Sequence, residues 1–439
     1  MRWLVYAIAP LLIQNSLLPV LAELPPALKD LPPVLADLPP ALRPTLAATV
    51  EQVSLPQSFN IGLANNPRTA AARALLGVTR SNLAQADVLP NPGVYIDNQY
   101  KFTYKLGASM LIEPPWRLIF RRAAAKKQIT QTDLEINRTL WLFRGEIRRT
   151  FVEALIAREM ADLRRQLLDV LRRVLSVAKE RFEKGDVPKL DVHRAELAVI
   201  QAEIQVEQAD ILVTQTREQL NVVLARSEKN FLEPAPLASV LRDLVKESTS
   251  LGDAQQLVKI AMSNRLELKI VDQQIIVNDA TLRVARGNIL PAPRFTVGRM
   301  TEDHINSDKN RKSAFFQALI EMPILDRQQG FIARGKAVDK QLNLELLSQQ
   351  NIITAQVLLA YRHVQSALAR IDEYQNKALP LSITISSAAD LSYRMGQTDI
   401  NSALVAQQDT ILVRTQYLDS LLAYELAMNE LEQSIGIPL

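Results

Sequence analysis

Hydrophobic positions along this chain fall into two textures. From about Arg121 to Phe182 there is no proline and no helix-stopping cluster, and Gly145 stands alone. Ile156, Met160, Leu163, Leu167, Val170, Val174 and Val177 alternate spacings of four and three, the seam of a coiled coil. Arg164, Arg165, Arg172 and Arg173 lie on the faces between and read as a solvated flank. At 1.5 Å per residue such a helix reaches roughly 90 Å. Gly185 interrupts it, and Val187-Pro188 opens a second helix to about Ala225. Ile353, Val357, Tyr361, Val364, Leu368 and Ile371 repeat the alternation in a later helix that ends near Gly396. A last helix returns from about Asp399 to Ser434.

The second texture is extended and bounded by prolines. Between Pro90-Asn91-Pro92 and Pro114-Pro115, Val94, Ile96, Asn98, Tyr100 and Phe102 alternate with Tyr95, Asp97, Gln99 and Lys101. Between Pro291-Ala292-Pro293 and Pro323, Arg294 to Arg299 and Ser313 to Ile320 flank a polar loop from Thr301 to Lys312. The pattern predicts two hairpins, about 93–114 and 294–322, with strands of about nine or ten residues. That length suits a tilted membrane strand; a soluble β-patch capping the helices fits the same pattern. The first reversal, near Phe102 to Tyr104, is expected to be short.

The two textures recur in order. NNPRTAA at Asn65 echoes SNRLELK at Ser263, and ADVLPNPGV at Ala86 echoes GNILPAPRF at Gly287. LIEPP at Leu111 echoes LIEMP at Leu319. Phe182-Glu183-Lys184-Gly185 matches Tyr393-Arg394-Met395-Gly396. The chain reads as an internal duplication, 51–240 and 241–439, each half running helix, hairpin, long helix, turn, helix. Four strands cannot close a barrel, and an open edge in lipid is prohibitive. Several chains must therefore share one barrel, and three would supply twelve strands.

Ahead of the repeats, Arg2 precedes a nearly continuous apolar run from Leu4 to Leu21, with Val20-Leu21-Ala22 before Glu23. This is the layout of a signal peptide over 1–22. Pro10, Pro19 and the polar Gln14-Asn15-Ser16 break weigh against the alternative, a membrane anchor. LPPALKD, LPPVLAD and LPPALRP follow, so 23–50 reads as a stiff proline-rich spacer.

Composition narrows the function classes. Only 13 of 439 residues are glycine, too few for a dinucleotide or phosphate-loop fold or a glycine-rich β-protein. Cysteine is absent, which excludes disulfides, thiolate zinc sites and a thiol nucleophile. His193, His304 and His363 have no ligand-like spacing, so no metal site, cofactor or catalytic set is expected. A net charge of +4 gives no reason to expect nucleic acid.

On these marks the chain resembles the TolC-like outer-membrane efflux protein family, from about Gln52 to the C-terminus. The NNPR start, the LPNP exit into the first hairpin, and the turns RFEKGDVPKLDV at Arg181 and SYRMGQTDINSA at Ser392 carry the resemblance. EMPILDRQQGF at Glu321 looks most like the metal-cation efflux branch. The resemblance implies a mainly α protein with a small β part. Long antiparallel coiled-coil helices form an α-barrel, and four strands per chain enter a trimeric 12-stranded barrel in outer-membrane lipid. It implies a passive exit duct, not an enzyme, fed by an inner-membrane pump or secretion system through a periplasmic adaptor. An exported coiled-coil scaffold, or an adaptor itself, is the alternative.

Two sets of residues follow as candidate sites. Gly185, Asp186 and Val187, with Gly396, Gln397 and Thr398, stand at the turns farthest from the hairpins and are expected to meet the adaptor; plain helix capping explains the glycines equally well. The family can carry acidic residues six and nine positions after the second turn glycine, forming a selectivity ring. Here Ser402 and Val405 stand there, whereas the first repeat has Asp191 and Arg194. Asp191 is thus a candidate entrance gate, with Arg194 pairing to it or to a neighbouring chain. A helix-start acid favoured by the dipole is the plainer account.

Overall fold

The computed structural model describes residues 51–99, 103–226, 232–234, 252–302 and 311–439. The expected signal peptide and proline-rich spacer lie outside the described residues.

Each half of the described chain opens with two short helices in line. In the first, α1 (Leu55–Asn65) and α2 (Pro67–Asp87) meet at Asn66, and in the second, α5 (Ala254–Asn264) and α6 (Leu266–Gly287) meet at Arg265. The NNPR sequence explains the first break. Pro67 has no N–H to give to the preceding turn and sits at the first position of α2, where none is needed. The Asn66 side chain accepts from the Arg68 N–H at 2.8 Å and donates to the Val223 carbonyl at 2.8 Å, tying the break to the end of α4 (Lys189–Val223).

The longest helix, α3 (Pro115–Glu183), has 69 residues and so extends about 100 Å. It begins six residues before the expected start, because Pro115 opens it. Ile156, Leu163, Leu167 and Val174 of the expected seam are buried, but so are Leu155, Ala161, Leu168 and Leu171. The buried strip is wider than one seam because α3 packs both on α4 and on the last helix, α9 (Ile400–Ile435). Of the flank arginines, Arg172 is 2.9 Å from Glu203, Arg164 donates to Gln205 at 3.1 Å, and Arg165 pairs with Asp162 and Asp210. Their partners on α4 make the flank a partly exposed helix-to-helix seam.

Gly145 is buried in α3 where α9 crosses it. A side chain there would overlap Gln433 and Asn429, and the Asn429 amide donates to the Gly145 carbonyl at 3.1 Å. Gly145→Val is expected to lower the stability of the purified protein by about 1–3 kcal/mol through overpacking. A thermal melt matching the wild type would show that α9 can give way at this point.

The later long helix is continuous in direction but not in hydrogen bonding. α7 (Gln329–Glu373) passes through a π-turn at Tyr374–Ala378 into α8 (Leu379–Arg394). Pro380 lies just past that turn and cannot donate, and the Leu379 N–H reaches back five residues to the Tyr374 carbonyl. Ile353, Val357 and Val364 are fully buried along α7, as their spacing requires.

Both hairpins form and join into one sheet, in the order β2 (Gly93–Gln99), β3 (Thr103–Leu111), β5 (Arg294–Glu302), β6 (Arg311–Leu319), all antiparallel. Gln99 pairs with Thr103, so Thr103 and Tyr104 belong to β3 and not to the expected reversal, the rest of which lies outside the described residues. The second strand pair reaches further into the expected polar loop than its composition suggests, with Glu302 opposite Arg311. One sheet face is apolar and exposed: Val94, Ile96, Leu106, Val297 and Phe316 are 48–78% accessible. The other carries the Asp97–Lys105 ion pair at 3.6 Å and the Tyr95 hydroxyl donating to Asp97. On this second face Tyr95, Gly107, Gly298 and Phe315 form one row across the sheet, and the two rings approach to 5.9 Å over the glycines. A side chain at Gly107 or Gly298 would strike the neighbouring backbone.

A second, two-stranded sheet was not legible in the sequence. β1 (Glu51–Val53) pairs in parallel with β4 (Leu232–Pro234). The Asn221 side chain, at the end of α4, both accepts from the Leu232 N–H at 2.9 Å and donates to its carbonyl at 3.2 Å.

Candidate functional site

The α3–α4 and α8–α9 connections have the same backbone. Gly185 and Gly396 adopt left-handed φ of 81° and 76°. The Gly185 N–H donates to the Phe182 carbonyl and the Asp186 N–H to the Arg181 carbonyl, both at 2.9 Å. Gly396 donates to Tyr393 at 3.1 Å and Gln397 to Ser392 at 2.9 Å. These are two Schellman turns, in which glycine supplies φ > 0 and the last helix carbonyls are satisfied. The residues after each glycine are therefore held on a defined backbone. Asp186, Gln397 and Thr398 are exposed and Val187 is partly so.

The turns lie beside one another. The Arg181 guanidinium donates to the Tyr393 carbonyl at 2.9 Å and stands 5.0 Å from the Tyr393 ring centre. A cleft of about 580 Å³ between them is lined by Glu180, Arg181, Lys184, Asp186, Arg394 and Met395, among others. Tyr393 is only 1% exposed, whereas Phe182, its counterpart in the first repeat, is 41% exposed. Burial pushes the Tyr393 phenol up; the Arg181 charge opposes this and the Asp191 carboxylate adds to it.

Asp191 sits in the first turn of α4, where a carboxylate favours the helix dipole. Its side chain is 13% exposed and lies 3.6 Å from Arg194 of the same helix. Arg194 also influences Asp399 across the repeats. Hydrogen bonds from the Ser402 hydroxyl and N–H hold the Asp399 carboxyl below its usual range, and Arg194 adds a smaller push in that direction. Asp399 caps α9, accepting from the Ser402 N–H at 3.2 Å. Ser402 is thus engaged as a partner of that cap, while Val405 is 45% exposed.

The structure brings together Asp186 and Gly396 across one cleft, Asp191 with Arg194, and Ser402 with Asp399. Sequence reading missed Arg181, Tyr393 and Asp399. An aromatic three positions before each turn glycine was the available signal, but which of the two is buried depends on the neighbouring helix. Among the described residues, no group of three or more histidine or acidic side chains is placed to hold a metal.

No family model matches the chain. The cobalt-zinc-cadmium resistance protein CzcC of Cupriavidus metallidurans is 22% identical over 372 residues, covering 83% of this chain and 86% of its own. The solved structure of CusC, which forms a transmembrane channel, superposes with a TM-score of 0.71 at 16% identity, over 90% of this chain and 96% of that one. The outer membrane channel CmeC of Campylobacter jejuni gives 0.67 at 12% identity, over 87% and 85%. With the two hairpins in one sheet and the paired glycine turns, these likenesses show that the chain has the fold of the TolC-like outer-membrane efflux proteins.

Proposed function

We propose that this protein is the subunit of an outer-membrane exit duct, a passive conduit for cargo delivered by an inner-membrane pump through a periplasmic adaptor. The observation that carries this reading is the four-stranded sheet. Among the described residues its outer strands β2 and β6 are each paired on one side only, and one face is largely apolar and exposed. Lipid cannot satisfy an open strand edge, so the sheet must close with copies of itself. Three copies give a 12-stranded barrel, with α3, α4, α7, α8 and α9 building an α-barrel beneath it in the periplasm. The fold likeness to outer-membrane channels supports the same assembly. Purified protein in detergent is expected to have three times the mass of one chain; a stable folded monomer would overturn the reading. The name of the relative CzcC makes divalent transition-metal cations the first cargo to assay.

In this assembly the turns at Gly185–Val187 and Gly396–Thr398 form the periplasmic tip that meets the adaptor, since they lie at the opposite ends of the long helices from the sheet. Three copies of the Asp191–Arg194 pair surround the entrance, where carboxylates favour cations. The pair is partly exposed, is worth only ~0–1 kcal/mol and lies within one helix, so closure rests on coiled-coil packing. Asp191→Asn is expected to reduce cation preference in single-trimer conductance across planar bilayers. Unchanged preference and opening would leave Asp191 as a helix-start charge.

A further inference from the structure

The exposed apolar face of the sheet is not uniform from end to end. Near the helices it presents Met110 and Phe295, and in the next row Val94, Val297 and Phe316. Toward the hairpin tips it changes. Leu106 stands opposite Arg299, and Tyr104, Thr301 and Lys312 share the following row. Among the described strand positions on this face, Arg299 and Lys312 are the charged ones, and no carboxylate accompanies them. Both are exposed. The opposite face, by contrast, mixes both signs, with Asp97 and Glu302 beside Lys105 and Arg311.

Register brings the two cations together. Arg299 is directly opposite Ala314 and Lys312 opposite Thr301, so Arg299 and Lys312 are diagonal neighbours across β5 and β6. Diagonal neighbours on one face are roughly 7–8 Å apart, within joint reach of two long side chains. The hydroxyls of Tyr104 and Thr301 flank them as neutral hydrogen-bond donors. A cation on a lipid-facing strand is disfavoured at the bilayer midplane and tolerated where it reaches a headgroup.

We propose that Arg299 and Lys312, with Tyr104 and Thr301, form a binding site on the outside of the barrel for the phosphate monoester of an outer-leaflet glycolipid. The proposal rests on the barrel reading above, which makes this face the lipid face and the hairpin tips the extracellular end. Charge selects the ligand. A phosphate monoester carries about −1.5 to −2 at neutral pH and matches two adjacent cations. A phospholipid diester carries a single charge and leaves one cation unmatched in lipid.

The test uses full-length oligomer in neutral-detergent micelles doped with phosphorylated lipid A, the same lipid with its phosphates removed, or phosphatidylglycerol. Native mass spectrometry reads the lipid retained. The wild type should retain phosphorylated lipid A in preference to both others. Arg299→Gln with Lys312→Gln should weaken that retention about 30-fold, at about fivefold per cation. Arg299→Lys with Lys312→Arg, which keeps both charges, should preserve it. Equal retention of the dephosphorylated lipid or of phosphatidylglycerol, or undiminished retention by the glutamine pair, would overturn the site. Failure of the barrel reading shows itself separately, as the absence of a heat-modifiable trimer before any lipid is added, and would remove the site with it.

Discussion

Arg148→Met is expected to destabilise the helical body by about 3–5 kcal/mol, because it strips the shared cation from two buried carboxylates. The Arg148 guanidinium lies 3.1 Å from Glu425 and 2.8 Å from Glu432, and all three side chains are at most 6% exposed. Glu425 and Glu432 are two turns apart on α9, so one arginine of α3 spans both. Without it, two buried carboxylates on one face of α9 lose the charge that both contact. Heat denaturation and limited proteolysis of the purified variant would measure the loss. Replacing all three residues by apolar ones of similar size should recover most of it, since the pairing largely offsets its own desolvation. A single variant that melts with the wild type would show that this triad does not hold α3 to α9.

Asp186→Trp combined with Gln397→Trp is expected to abolish export while leaving trimer and membrane insertion intact. Each residue follows a left-handed glycine and uses its backbone N–H in the turn, whereas its side chain is exposed. The turn therefore tolerates a larger side chain, and the bulk falls on the surface assigned to the adaptor. Complementation of an export-deficient strain, together with the detergent mass of the variant, separates the two effects. Normal export by the double variant would refute the tip assignment; loss of the trimer would point to a structural role for these positions.

Legibility tracked the distance over which each feature is decided. The seams in α3 and α7 are periodicities within one helix, and the burial of Leu163, Leu167, Ile353 and Val357 follows from them. The glycine turns were equally plain, because φ > 0 is a local demand that glycine meets most cheaply. Arg148 was not legible. In a helix rich in arginine it looks like the solvated Arg172, and only the approach of Glu425 and Glu432 from a distant helix distinguishes the two. Pro380 would ordinarily end a helix, yet a π-turn carries the chain past it.

The sequence by itself determined the long helices, the two hairpins, their order in each half and the turns between them, since periodicity and proline or glycine placement act within a few residues. Tertiary structure alone decided which helix faces meet and that β3 pairs with β5 to make one sheet. It also decided that β1 finds β4 and that Tyr393 is buried while Phe182 is not. Each of these is a contact between segments far apart in the chain, and burial or pairing of that kind is set by the partner surface.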